Sequence, residues 1–170
     1  AAAIFSIYCF GCASGEASGG FSGCAAALAA ARGGAKVLLV ERINALGGAP
    51  CTMAVNPFMR NAATIPATNE RKQLSQGIFA EIYDALKAEG ATRDNIFNPE
   101  YLKIILNRKM KEAGVDLLFN SLFVSAKREG NRVVSVTVAN KSGLTELEAD
   151  FFVDATGDAD VAYSAGFPTR

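Results

Sequence analysis

Half of the 170 residues are hydrophobic, 17 basic side chains balance 17 acidic ones, and the chain has no histidine and no tryptophan. That length suffices for one domain with a real core, and the zero net charge supplies no basic face for nucleic acid or for an anionic membrane surface. Without imidazole there is no Ser-His-Asp triad, no Cys-His pair and no histidine-ligated zinc or haem, so chemistry has to come from carboxylates, thiols, backbone amides or a bound cofactor.

Ile4 to Phe10 is an apolar run too short to span a bilayer, which takes about 20 such residues. It reads either as a first buried strand or as the remnant of a signal-peptide core, with small residues following at Gly11, Cys12, Ala13 and Ser14 but no basic segment before it. From Gly23 to Ala31 the sequence is nearly all alanine around Leu28, which predicts a helix ended by Arg32-Gly33-Gly34, since glycine tolerates the left-handed C-cap conformation. Lys36 to Val40 is apolar without alternation, the pattern of a strand covered on both faces of a parallel sheet, and it closes on Glu41. Arg42 to Asn69 has the glycines and prolines of a long irregular connection, a length that points to function. Leu74, Ile78, Ile82 and Leu86 recur every four residues and predict a helix over Arg71 to Glu89. A second helix begins at Asn98-Pro99-Glu100 and runs to Ala113, so the helical segment spans about 71–113. Strands come next at Val115 to Leu118, Ser121 to Lys127, Arg132 to Val138, Leu144 to Ala149 and Phe151 to Val153.

Cys9, Cys12, Cys24 and Cys51 are too few for a disulfide scaffold and suggest a reducing, cytoplasmic setting. Cys9 and Cys12 have C-x-x-C spacing, but no second pair completes a metal site.

The informative unit is Gly19-Gly20-Phe21-Ser22-Gly23, the alanine helix, the buried strand and Glu41. A glycine turn that opens a helix aims backbone amides and the helix dipole at a pyrophosphate, and an acid about 20 residues on can take hydrogen bonds from a ribose. In this register Gly20 is the close-approach glycine and Gly23 the helix-packing one, while Ser18 stands at the first glycine position of G-x-G-x-x-G. Gly47-Gly48 and the turn from Phe152 to Asp158 add two further glycine-bearing segments.

These segments, with Ala-Lys-Val-Leu-Leu-Val-Glu-Arg, Leu46-Gly47-Gly48 and Val153-Asp154-Ala155-Thr156-Gly157-Asp158-Ala159-Asp160, resemble the FAD-dependent oxidoreductases of the glutathione-reductase-like superfamily, distantly akin to fumarate reductase flavoproteins. The likeness covers essentially Gly19 to Gly166. It implies an α/β, Rossmann-like FAD/NAD(P)-binding domain over residues 1–170, with a parallel sheet, an alanine-rich helix and a three-stranded β-meander. By that resemblance Gly19, Gly20, Phe21, Ser22 and Gly23 line the pyrophosphate, Glu41 holds the adenosine ribose and Arg42 flanks the adenine. Gly47 and Gly48 pass the phosphates or the ribityl chain with Ala49 and Thr52 nearby, Phe123 or Val124 offers backbone groups to the adenine, and Gly157 with Asp158 closes the site.

The family strand runs straight into its glycine turn, whereas Gly11 to Ser18 is small and polar and includes Glu16, so either Ile4 to Phe10 is the strand and the turn carries an insertion, or the N-terminus is altered. Relatives also continue into a substrate domain, so the resemblance implies that this chain is the cofactor-binding portion of a larger flavoprotein acting on a small molecule, and predicts that it is inactive alone. A dithiol mechanism is disfavoured because Asn56 stands where a partner for Cys51 would be. Two other readings stay open: a non-catalytic dinucleotide-binding fragment, and an NAD(P)-linked dehydrogenase. The meander favours FAD, since nicotinamide dehydrogenases more often alternate strand and helix throughout.

Overall fold

A computed structural model describes residues 6–11, 20–59 and 61–169, with side chains described from residue 20 onward. In chain order the elements are β1 (Ser6–Gly11), α1 (Phe21–Arg32), β2 (Lys36–Val40), α2 (Ala49–Thr52), β3 (Ala62–Ile65), β4 (Glu70–Gln73), α3 (Ile78–Ala88), β5 (Thr92–Arg93), β6 (Ile96–Phe97), α4 (Pro99–Glu112), β7 (Asp116–Leu118), β8 (Leu122–Glu129), β9 (Arg132–Asn140), β10 (Gly143–Glu148), β11 (Phe151–Ala155) and α5 (Asp160–Ser164).

Four strands form a parallel sheet in the order β11-β1-β2-β7, with Phe10 opposite both Val40 and Asp154. The run Lys36–Val40 is apolar because both faces of β2 are covered: Val37, Leu39 and Val40 are buried. α1 lies on one face. Its small residues permit a close approach, since a Cβ on Gly23 would stand 3.4 Å from the Ala155 Cβ of β11. α3 and α4 pack beside α1, and Leu28, Ile82, Leu86, Leu102, Leu106 and Met110 form the centre of the larger core. The meander β10-β9-β8 is a separate antiparallel sheet whose Phe123, Val136 and Val138 meet Val40 and Val161 in a second, smaller core.

The expected parallel sheet, alanine-rich helix and meander are all present, with four points of detail. The first strand occupies Ser6–Gly11 at the centre of the sheet, as a strand-forming reading requires, while Glu16, Ser18 and Gly19 lie outside the described residues. The end of α1 divides between its two glycines, with Gly33 as cap in the right-handed region at φ −75° and Gly34 left-handed at φ +91° as a glycine terminus allows. The helix expected from Arg71 starts only at Ile78: Gly77 at φ +66° interrupts it, and Glu70–Gln73 pairs instead with Ala62–Ile65. The stretch Arg42 to Asn69 therefore holds α2 and β3 as well as loops.

Candidate dinucleotide-binding site

Parallel strands share one carboxyl edge, where the loops that leave the strands gather. The register that pairs Phe10 with Val40 and Gly11 with Ala155 puts Glu41 and Thr156 on either side of the end of β1.

α1 begins with Gly20 as N-cap in extended conformation; among the described residues no side chain caps it, and no acid stands in its first turn. Its leading N–H groups and positive dipole end are thus kept for an external anion. The Phe21 ring turns into an aromatic cluster, edge-on to Phe58 at 5.4 Å and beside Phe79 at 6.3 Å. Ser22 is exposed and Gly23 is buried against β11.

Glu41 is completely buried, a costly place for a carboxylate unless hydrogen bonds meet it. Its Oε1 accepts the N–H of Ile43 at 2.9 Å, and its backbone is locked between β7 and β8: the Glu41 N–H donates to Leu118 O at 2.8 Å and the Ser121 N–H donates to Glu41 O at 3.0 Å. The same bonds bring the start of β8 to the acid. Phe123 is buried against Val40, and Val124 is the additional residue of a bulge, since Phe123 pairs with Val138 and Ser125 with Thr137. A bulge releases backbone groups from the ladder, as the expected contact to an adenine requires. Arg42 is half-buried directly after Glu41.

Gly47 and Gly48 have φ of +111° and +57°, and both are buried in the loop leaving β2. A Cβ on Gly47 would overlap the Cys51 sulfur, crowd the Cys51 Cβ at 3.2 Å and touch Leu106 of α4 at 3.5 Å. The side chain of Thr52 turns back on this loop, its Oγ1 donating to Gly48 O at 3.0 Å, and Ala49 opens α2. The described contacts hold this segment against α4. Burial pushes the Cys51 thiol up to about 11.

One group was missed in the sequence. The Asp154 carboxylate accepts the Thr156 N–H at 3.1 Å, the Thr156 hydroxyl at 2.6 Å and the Ala162 N–H at 2.9 Å, and Thr156 Oγ1 in turn accepts the Asp160 N–H at 2.8 Å. This network shapes the turn carrying Gly157 at φ +93° and the exposed Asp158, and caps α5 from the strand before it. An acid followed two residues later by Thr is the available signal, an Asx-type turn. Among the described residues no group of His, Cys, Asp and Glu is arranged to hold a metal, and no helix is long and apolar enough to cross a membrane.

The profile of the FAD dependent oxidoreductase family matches residues 18–170. The chain belongs to that family. FAD is therefore its cofactor class, and an uncapped helix start, a buried acid at the end of β2 and a glycine turn after β11 are the features that fit a dinucleotide. No curated protein matches the chain. Among solved structures it is similar to Thermovibrio ammonificans THI4, with TM-score 0.60, 19% identity and coverage of 95% of this chain and 61% of that one. A geranylgeranyl bacteriochlorophyll reductase-like protein from Thermoplasma acidophilum gives 0.59 at 15% identity, covering 96% and 42%. CabE, an aromatic hydroxylase from angucycline biosynthesis, gives 0.57 at 20% identity, covering 98% and 34%. These likenesses establish the fold, and the chain spans between about a third and three fifths of the length of these three structures.

Proposed function

We propose that this chain holds FAD along the carboxyl edge of its parallel sheet, as the cofactor-binding portion of an oxidoreductase acting on a small-molecule substrate in the cytoplasm. The observation that carries the reading is the meeting, at one sheet edge, of the uncapped start of α1 with the fully buried Glu41. Gly20, Phe21, Ser22 and Gly23, with Gly19 ahead of them, would receive the pyrophosphate through backbone amides. Glu41 would accept the ribose hydroxyls, Arg42 would flank the adenine and the Phe123-Val124 bulge would address the adenine edge. Gly47, Gly48, Ala49 and Thr52 would follow the phosphates or ribityl chain, and Gly157 with Asp158 would close the crevice. Bound FAD would supply the hydride or electron transfer, which is how a chain without histidine performs redox chemistry. The protein's own task is to bind, orient and shield it.

The test is an FAD titration of the natural full-length protein followed by flavin absorbance, with NADH in parallel. FAD should saturate the protein and raise its melting temperature while NADH does not. Replacing Glu41 removes charge-assisted hydrogen bonds worth about 1.5–3 kcal/mol, so Glu41→Ala should weaken FAD roughly 10- to 150-fold. Glu41→Gln, which preserves the packing, should show an intermediate loss. A protein that takes up no FAD, or one in which both variants bind it normally, would overturn the reading.

A further inference from the structure

α5 has five residues, too few to hold a helical position by itself, and other elements fix it at both ends. At its start the Asp154 carboxylate accepts the Ala162 N–H and Thr156 Oγ1 accepts the Asp160 N–H, which joins it to the turn of Gly157. At its finish the Ser164 hydroxyl accepts the Ala126 N–H of β8 at 3.0 Å. Arg128 reinforces that end, donating to Gly166 O at 3.1 Å with its guanidinium 4.8 Å over the Phe167 ring. Between the two ends Val161 is 2% exposed and packs in the core that contains Phe123 and Val40.

The bond to Ala126 falls where β8 is least held by its own sheet. The ladder with β9 breaks register between Phe123 and Ser125 and again between Lys127 and Arg128, so only Ser125, Ala126 and Lys127 pair in step between the two irregularities. Each break disrupts the ladder locally, which leaves this piece of strand loosely placed by β9 alone. β8 also stands at the end of the order β10-β9-β8, and among the described residues no further strand pairs with its other side. α5 supplies the missing restraint there: Ser164 bonds the middle residue of the regular piece, two positions after Val124, and Arg128 anchors the strand just past the second break.

We infer that Ser164 is a positioning residue for FAD, with Arg128 as its auxiliary. By fastening β8 to α5 it sets the separation between the Phe123-Val124 bulge, which addresses the adenine edge, and the Gly157 turn, which closes the crevice. The inference rests on the FAD reading above and adds to it two residues that act through the backbone of β8. Both side chains are exposed, so their bonds contribute little to global stability. Their loss frees β8 to shift at its two bulges while the buried cores persist, and the adenosine half of the cofactor is the part that senses the shift.

The test compares FAD with ADP, which carries the adenosine half alone, in calorimetric titrations of the natural full-length protein freed of bound flavin. Ser164→Ala should weaken FAD and ADP by the same factor, about 3- to 10-fold, the worth of one neutral hydrogen bond. Ser164→Thr, which keeps the hydroxyl, should restore both. Arg128→Met, which keeps the apolar stem, should weaken both ligands in parallel. The melting temperature of the flavin-free protein should fall by less than about 2 °C in each variant. Asn98→Ala is the control: it removes a cap on α4, destabilises the protein at least as much, and should leave both affinities unchanged. Normal FAD and ADP binding by Ser164→Ala and Arg128→Met would overturn the role of Ser164 and leave the FAD reading standing. A loss equalled by Asn98→Ala, or one confined to FAD with ADP unaffected, would overturn it as well. An unsubstituted protein that binds neither FAD nor ADP would overturn both.

Discussion

Replacing Asp154 by alanine tests whether the turn after β11 is built by one carboxylate. The substitution removes the acceptor of the Thr156 N–H, the Thr156 hydroxyl and the Ala162 N–H at once. Bonds to a charged acceptor contribute about 1.5–3 kcal/mol each where they are protected from water. Asp154 is half-buried, so solvent recovers part of the loss, whereas Thr156 is fully buried and its hydroxyl would have to find another acceptor. The net cost comes to about 2–4 kcal/mol, and at roughly 2–4 °C per kcal/mol for a protein of this size the melting temperature should fall by about 4–16 °C. Asp154→Asn retains one acceptor oxygen and should lose about half as much. Thermal unfolding followed by circular dichroism reads both variants, and FAD titration reads the turn, because a displaced Gly157 should weaken the cofactor even where the protein is still folded. A fall under about 1 °C for Asp154→Ala, or unchanged FAD affinity in a variant destabilised as expected, would refute the reasoning.

Two further outcomes rest on local geometry. Asn98 caps α4 by accepting the Glu100 N–H at 2.9 Å, so Asn98→Ala should cost about 1 kcal/mol in thermal or urea unfolding. Cys51 is held up to about 11 by burial, so its alkylation, followed by peptide mass spectrometry, should be slow at pH 8 and accelerate as the pH approaches 11. Because the folded value lies above the unfolded one, the associated stability is intact below about pH 8.5 and is lost as the pH rises towards 11.

Where a residue's neighbours in sequence set its conformation, the sequence was readable. α1 needed only its alanines and a glycine at each end, β2 its unbroken apolar run, and α4 the pair Asn98-Pro99, whose side-chain cap is present. The start of α3 was not readable that way. Leu74 is four residues before Ile78 and fits the helical spacing, yet it is exposed, because Gly77 turns the chain and β4 is a polar ribbon whose partner fixes it rather than its composition. Gly20 and Glu41 could be picked out because the dinucleotide pattern spaces them along the chain, and the structure adds the two backbone bonds that hold Glu41. Asp154 escaped notice since its significance lies in its partners, bonds that fold back from Ala162.

The order β11-β1-β2-β7 also sets a schedule for synthesis. β1 and β2 leave the ribosome early, yet one edge of β1 waits for β11 before its backbone groups are paired. At ~5–20 residues per second that interval is on the order of 10 s, during which the nascent chain presents an open strand edge to any extended neighbour. The turn carrying Gly157 arrives with the same strand. Pairing of β11 is thus the step that both removes an aggregation hazard and finishes the proposed cofactor crevice, so slow translation between β7 and β11 should penalise soluble yield and flavin loading together.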